Sequence, residues 1–335
     1  KMTSDKLGRQ LKDLRISVTD RCNFRCPYCM PSEIYGDRYQ FLPKDDLLTF
    51  EEITRLASIF ANLGVNKIRI TGGEPLVRNS VEELIAKLSY IPEIVDLTMT
   101  TNGYLLPQKA QLLKNAGLNR ITISLDTLDE DVFRRMNGRN FGPDRVVEGI
   151  KSAEKAGLTP IKINAVIQRG VNDHTILQLA NFVRDRGHIL RFIEYMDVGT
   201  LNNWNMSEVV PANEIIQMID REMPLEALKP LYPGEVANRY SYKDDGGEIG
   251  VITSVTNPFC SDCTRLRLSP EGSVYTCLFS DQGTDLRSPL RTGATDYELR
   301  RLIIGLWQNR VDRYSEIRSS VAGKKKKIEM YHIGG

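Results

Sequence analysis

The sequence predicts an α/β chain: a partial (βα)6 TIM-like barrel over residues 1–210, followed by a C-terminal α+β region over 211–335. From residue 13 to 196 short β-rich segments alternate with helical ones, the pattern of parallel βα units; six such repeats in a row favour a barrel or part of one. Within those strands apolar and polar residues alternate, so each strand has one face of either kind. After Met196 the repeat stops.

Strands are expected at Leu14–Thr19, Lys67–Thr71, Asp96–Thr101, Arg120–Leu125, Pro160–Val166 and Leu190–Met196. Helices are expected between them at Phe50–Leu63, Val81–Tyr90, Gln108–Ala116, Arg145–Ala156 and Thr175–Arg186. Gly64, Gly117, Gly157 and Gly187 follow four of these, where a helix end favours a left-handed residue. Leu14, Ile16 and Val18 interleave with Arg15, Ser17 and Thr19; Ile121, Ile123 and Leu125 interleave with Thr122, Ser124 and Asp126; Ile161 and Ile163 interleave with Lys162 and Asn164.

The apolar faces should pack outward against the helices, leaving Arg, Lys, Thr, Ser and Asn inside. An ordinary barrel is filled by branched apolar side chains. Polar groups buried without partners are costly, so this interior should enclose a polar or charged ligand. An antiparallel sheet with one wetted face is the bland alternative, disfavoured because parallel strands are normally covered on both faces.

Past Met196, Val198–Asn205 reads as a loop and Ala212–Arg221 as a helix. Val236–Tyr242 and Glu248–Ser254 form a hairpin around Asp245-Gly246-Gly247. A helix near Asp296–Trp307 precedes a tail ending in Gly334-Gly335. This part should pack on the barrel. Arg191 and Met196 are an odd number of residues apart, so a bend is required if both face the interior.

The hydrophobic fraction of 41% and charged fraction of 26% are those of an ordinary globular protein. A net charge of +2 is too small to argue for nucleic acid. No apolar run is long enough for a membrane span, and the first residues lack the apolar stretch of a secretory signal, so a cytoplasmic protein is expected. Lys324–Lys327 reads as a solvated basic strip, with a role near an anionic substrate as the alternative.

In that compartment six cysteines are not expected to pair as disulfides. Cys22, Cys26 and Cys29 form C-x3-C-x2-C directly after the first strand, and Cys260, Cys263 and Cys277 form C-x2-C-x13-C. Thiolates suit iron–sulfur clusters. A cube of four irons held by three cysteines leaves one iron open to another ligand. A closed zinc site wants four protein ligands, and His174, His188 and His332 lie near neither group. Zinc stays open for the second group, since C-x2-C also occurs in zinc sites.

Thr264-Arg265-Leu266-Arg267-Leu268 follows at once; if extended, it projects both arginines to one side. With Arg15, Arg69 and Lys162 inside the barrel, five cations would converge. Guanidinium groups suit bidentate phosphate binding, so a polyphosphate is the natural ligand. Separate ion pairs with Asp and Glu are the alternative.

The loop RCNFRCPYCMP and the Gly72-Gly73-Glu74-Pro75 turn after the second strand resemble the radical S-adenosylmethionine (SAM) superfamily. Together with TTNG, SLDTLD, RFIEYMDVG, FCSDCTRLRLS and the terminal Gly-Gly, the chain resembles over nearly its whole length the GTP 3′,8-cyclases, which open molybdenum cofactor biosynthesis. That resemblance implies a radical SAM barrel and two [4Fe–4S] clusters, on Cys22, Cys26 and Cys29 and on Cys260, Cys263 and Cys277. It implies SAM contacts at Tyr28, Gly73, Ser124 and Met196, and GTP contacts at Arg15, Arg69, Thr100, Lys162, Arg265, Leu266 and Arg267. In the family the Gly-Gly tail reaches into the active site. Further implied are a flavodoxin- or ferredoxin-type electron donor, a downstream cyclic pyranopterin monophosphate synthase and a homodimer, with neither nucleic acid nor membrane as partner. A twin-cluster radical SAM enzyme acting on a peptide is the second reading, against which the arginine set favours phosphates. A non-enzymatic iron–sulfur carrier would leave the GGEP turn and the polar interior unexplained.

Overall fold

The computed structural model describes residues 3–323 and 326–335. Six parallel strands follow one another in chain order: β1 (Asp13–Ser17), β2 (Lys67–Thr71), β3 (Asp96–Thr101), β4 (Arg120–Ser124), β5 (Lys162–Ile167) and β6 (Ile189–Glu194). Helices α1 (Phe50–Asn62), α2 (Val81–Ser89), α3 (Leu106–Ala116), α4 (Glu130–Asn137), α5 (Asp144–Lys155) and α6 (Ile176–Asp185) connect them. The expected bounds hold to within about two residues, the usual fraying of element ends. The fifth strand begins at Lys162 and not at Pro160, which has no N–H to give a ladder.

Helix α4 was not expected. Its Asp129 cap, which accepts the Val132 N–H at 2.9 Å, and Gly138 at its end are nevertheless ordinary helix punctuation. The capping box of Thr49 and Glu52 starts α1.

The strands' apolar residues, including Leu14, Ile16, Ile68, Ile70, Met99, Ile123 and Ile163, are buried against the helices. The opposite residues line a central cavity. The wetted antiparallel sheet is therefore excluded for this half.

The barrel does not close on itself. Among the described residues the strand order is linear, and the C-terminal region adds to both edges. Helix α7 (Ala212–Glu222) leads into β7 (Leu225–Ala227), β8 (Asn238–Tyr242) and β9 (Glu248–Ile252); β9 pairs parallel with β6. On the other edge β10 (Arg265–Leu268) pairs parallel with β1, with Arg267 opposite Arg15. Strands β11 (Ser273–Tyr275) and β12 (Thr284–Asp285) continue that edge antiparallel. The hairpin is where it was expected; β7, β11 and β12 are too short to carry a period-two signal.

Helices α8 (Arg287–Arg291), α9 (Asp296–Gln308), α10 (Tyr314–Val321) and α11 (Met330–Ile333) complete the chain. Trp307 of α9 is fully buried and donates its indole N–H to the Arg9 carbonyl at 3.0 Å, tying this region to the start of the chain. Among the described residues no helix is long and apolar enough to cross a membrane. Lys324 and Lys325 lie outside the described residues. Lys326 is exposed, as a solvated strip requires, but Lys327 is buried, a correction explained below.

Replacing Trp307 with Ala should cost about 3–5 kcal/mol, because it removes a large fully buried ring and leaves a cavity. Urea unfolding of the metal-free chain measures it, and a loss below about 1 kcal/mol would show that α9 is not part of the cooperative core.

Candidate active site

A single cavity of about 500 Å³ runs along the inner face of the sheet. All six cysteines line it. Their placement follows from strand direction. The loop after β1 carries Cys22, Cys26 and Cys29 at the C-terminal edge of the sheet. Cys260 and Cys263 precede β10, which runs parallel to β1, so they sit at the opposite edge. Strand β11 returns antiparallel and delivers Cys277 to that same edge.

The first loop is held by backbone contacts. Arg25 donates to the carbonyls of Cys22, Phe24 and Tyr35, each at 2.7 Å. The Gly73 N–H reaches Thr19 O at 3.0 Å and the Glu74 N–H reaches Arg21 O at 2.8 Å. A Cβ on Gly73 would lie 2.0 Å from Arg21 O. This glycine is therefore required by the approach of two backbones, whatever the SAM contact that the resemblance implies there.

Glu74, fully enclosed, accepts from Thr101 Oγ1 at 2.6 Å and the Asn102 N–H at 2.7 Å. Burial pushes its carboxyl up to about 7 against those hydrogen bonds. Tyr28 donates to Asp126 at 3.0 Å. Asp126 also accepts the Val166 N–H, and burial pushes it up to about 6.

The thiols suit a metal cluster. None is in a disulfide. Cys22 accepts the Phe24 N–H at 3.4 Å, and Cys263 accepts from Arg265 Nε at 3.4 Å and Arg310 Nη2 at 3.2 Å. Burial pushes Cys22 up to about 12 and Cys277 up to about 11, and raises Cys26 and Cys29 as well. Burial acts upward on Cys263 too, but Arg265 and Arg310 hold it down at about 6. Among the described residues no three His, Cys, Asp or Glu side chains converge on a single-ion site; a four-iron cube spreads its thiolates more widely than one tetrahedral ion.

The second cysteine group is braced by side chains that the sequence did not single out. Asp5 pairs with Arg9 at 2.7 Å and with Arg310 at 3.4 Å. Those guanidinium groups donate to the carbonyls of Cys260 at 2.8 Å and Cys263 at 2.7 Å. Residues so far apart in the chain leave no local sequence signal.

Arg15, Arg69, Lys162, Arg265 and Arg267 do converge on the cavity, joined by Lys67 and Arg191. Thr100, Ser124, Tyr28, Gly73 and Met196 line it too. Leu266 does not: it is buried on the opposite face, between the two arginines. Strand β6 ends at Glu194, so the expected bend is present and brings Met196 to the cavity while Tyr195 is buried elsewhere.

The five expected cations are not spent in ion pairs with carboxylates among the described residues. Arg69 donates to Thr100 Oγ1 at 2.9 Å and Thr122 Oγ1 at 3.1 Å. Arg15 donates to Gly335 O at 2.7 Å, and Arg267 to Gly334 O. Arg265 lies 5.3 Å over the Phe259 ring. The Gly-Gly tail thus enters the cavity, and a Cβ on Gly334, whose φ is +81°, would lie 2.2 Å from Thr71 Cγ2.

Burial, then Arg265 and Arg69, lower the proton affinity of Arg15; burial, then Arg191 and Arg120, lower that of Arg69. Guanidinium groups stay charged, so this crowding is a standing demand for an anion. The lysines can yield: burial and Arg191 push Lys162 down to about 7, and burial and Arg69 push Lys67 down to about 8.

Comparison with known proteins places these features. The Radical SAM superfamily matches residues 16–183, and the Molybdenum Cofactor Synthesis C family matches 188–316. A GTP 3′,8-cyclase from Acidothermus cellulolyticus is 52% identical, covering 99% of this chain and 98% of its own. One from Staphylococcus haemolyticus is 51% identical with the same coverage. Among solved structures, Streptococcus suis SuiB bound to S-adenosylmethionine superposes with a TM-score of 0.60 at 16% identity, over 89% of this chain and 69% of that one. That likeness is one of fold.

Gly73→Ala should cost about 1–3 kcal/mol by forcing the Arg21 backbone away; an unchanged urea midpoint would show that the loop gives freely. The lysines set a pH dependence. Their folded values lie below the ordinary 10.5, so the unfolded chain binds more protons above about 7 and stability rises with pH from there to about 10.5. A polyanion in the cavity reverses the shift. Tripolyphosphate binding at about pH 8 should therefore take up roughly one proton, read as a buffer-dependent calorimetric enthalpy; an enthalpy independent of buffer would mean the lysines are already charged.

Proposed function

Because the chain belongs to the family of the GTP 3′,8-cyclases within the radical SAM superfamily, we propose that its cavity converts GTP to (8S)-3′,8-cyclo-7,8-dihydroguanosine 5′-triphosphate, the first step of molybdenum cofactor biosynthesis. The observation that carries the reading is the set of expected cations lining one cavity with no side-chain carboxylate paired to them among the described residues, flanked at either edge by three free thiols. Residues 1–210 would hold SAM and its [4Fe–4S] cluster, and residues 211–335 the auxiliary [4Fe–4S] cluster.

Cys22, Cys26 and Cys29 would hold one cluster and Cys260, Cys263 and Cys277 the other. When bound, a reduced cluster and SAM supply one-electron cleavage of a C–S bond and so a carbon radical able to take a ribose hydrogen. The chain's own side chains do the rest. Gly73, Tyr28, Ser124 and Met196 line the end of the cavity beside the first cysteine loop, where SAM would lie. Asp126 fixes the Tyr28 hydroxyl by the 3.0 Å hydrogen bond, and Glu74 fixes the strand end at Thr101 and Asn102.

Arg15, Arg69, Lys162, Arg265 and Arg267 would grip the triphosphate, with Thr100 orienting Arg69 through its 2.9 Å bond. Leu266 would contribute its backbone alone. A low-potential flavodoxin- or ferredoxin-type donor, a following cyclic pyranopterin monophosphate synthase, a cytoplasmic location and a homodimer complete the proposal. SuiB was also solved bound to a precursor peptide; for this chain the cation set favours a nucleotide over a peptide.

Anaerobically reconstituted protein should hold about eight irons per chain and form 5′-deoxyadenosine from SAM and dithionite only when GTP is present. Substituting Ala for Arg267 should weaken GTP binding about tenfold or more while leaving the iron content unchanged. SAM cleavage indifferent to GTP, or zinc in place of iron, would overturn the reading.

A further inference from the structure

Asp197 immediately follows the cavity residue Met196 and is buried, with three donor groups making four hydrogen bonds to it. Arg318 Nε reaches Oδ1 at 2.7 Å, and Lys327 Nζ reaches Oδ2 at 2.8 Å and the main-chain carbonyl at 2.6 Å. The Tyr314 hydroxyl donates to Oδ2 as well. The Lys327 ammonium also lies 4.8 Å from the centre of the Tyr314 ring and 5.5 Å from that of Phe279, two rings stacked at 4.4 Å.

Four segments meet here: Phe279, two residues beyond Cys277; Met196 and Asp197, just past the end of β6; Tyr314 and Arg318 of α10; and Lys327, where the tail begins. Just past it the Ile328 N–H bonds to Ser280 O at 2.8 Å. Glu329 then accepts from the Thr200 N–H at 2.8 Å and its hydroxyl at 2.6 Å. From these anchors the chain continues through α11 to Gly334 and Gly335, the partners of Arg267 and Arg15.

We propose that Lys327 is a positioning residue that acts through Asp197. Its clamp fixes the tail's point of entry and the Met196–Asp197 segment just past β6 to one another, so that Gly334 and Gly335 reach the cavity arginines in register with the cofactor side of the chamber. This rests on the reading of the cavity as the GTP and SAM site. The physical basis is that one buried carboxylate satisfies two cations from separate segments, so losing either cation leaves uncompensated charge and frees its segment. A lysine whose only task was to face solvent would not be enclosed by two aromatic rings and a carboxylate.

The test uses cluster-loaded Lys327→Met, Lys327→Gln and Lys327→Arg. Iron content is the check that each folds. Backbone hydrogen exchange over residues 328–335 should accelerate at least about tenfold in Lys327→Met, less in Lys327→Gln, and return towards the parent rate in Lys327→Arg. In step, kcat for GTP-dependent 5′-deoxyadenosine formation should fall about tenfold or more while KM for GTP stays within about twofold. Tail exchange at the parent rate in the iron-loaded Met or Gln variant overturns the proposal, as does an unchanged kcat with a loosened tail. Tail exchange that loosens as expected in a chain whose SAM cleavage ignores GTP would leave the clamp standing as a tail anchor while the cyclase reading, and the catalytic part of this inference, fall.

Discussion

The structure depends on one electrostatic constraint: a concave sheet face that carries Arg15, Arg69, Lys162, Arg191, Arg265 and Arg267 with threonine, asparagine, sulfur and carbonyl partners in place of carboxylates. Buried cations without counter-charge are costly. The fold tolerates them because the outer apolar face and its helices supply stability independently of the cavity, and because each guanidinium has at least neutral hydrogen-bond acceptors or an aromatic face. The uncompensated remainder is what would draw a polyanion into the chamber.

Leaving the barrel open makes that density of charge attainable. A closed eight-stranded barrel would fill its own interior with side chains. Here β10 enters beside β1 in parallel register and sets Arg265 and Arg267 next to Asp13 and Arg15. The same parallel pairing sends the two cysteine groups to opposite edges of the sheet. Strand direction alone thus separates the cysteine group proposed to hold the SAM cluster from the group proposed to meet the nucleotide base, with the cations between them.

The C-terminal region is accordingly part of the chamber. Asp5, Arg9 and Arg310 brace the second cysteine loop from both ends of the chain, and Asp197 collects the tail. The likeness to SuiB extends over 89% of this chain at 16% identity and is one of scaffold alone. Chemistry on such a scaffold is decided by which side chains face inward.

Much of this was legible in the sequence because the relevant signals are local. Alternation in Leu14–Val18 and Ile121–Leu125 reports which face is buried, and the cysteine spacings report thiols brought close by a single loop. Arg265 and Arg267 could be assigned to one side because period-two geometry needs only that the segment be extended. Helix α4 was present in Asp129 and Gly138 but only eight residues long, too short for its periodicity to stand out. What tertiary structure alone decided are pairings between distant segments: the open sheet order, the role of Gly73 against Arg21, the inward turn of Met196 past the end of β6, and the burial of Lys327 within a run that reads as solvent-facing. Each depends on what a second, remote stretch of chain places alongside. A linear sequence specifies the chemistry and periodicity of a segment, but not the neighbour that the packed fold sets against it.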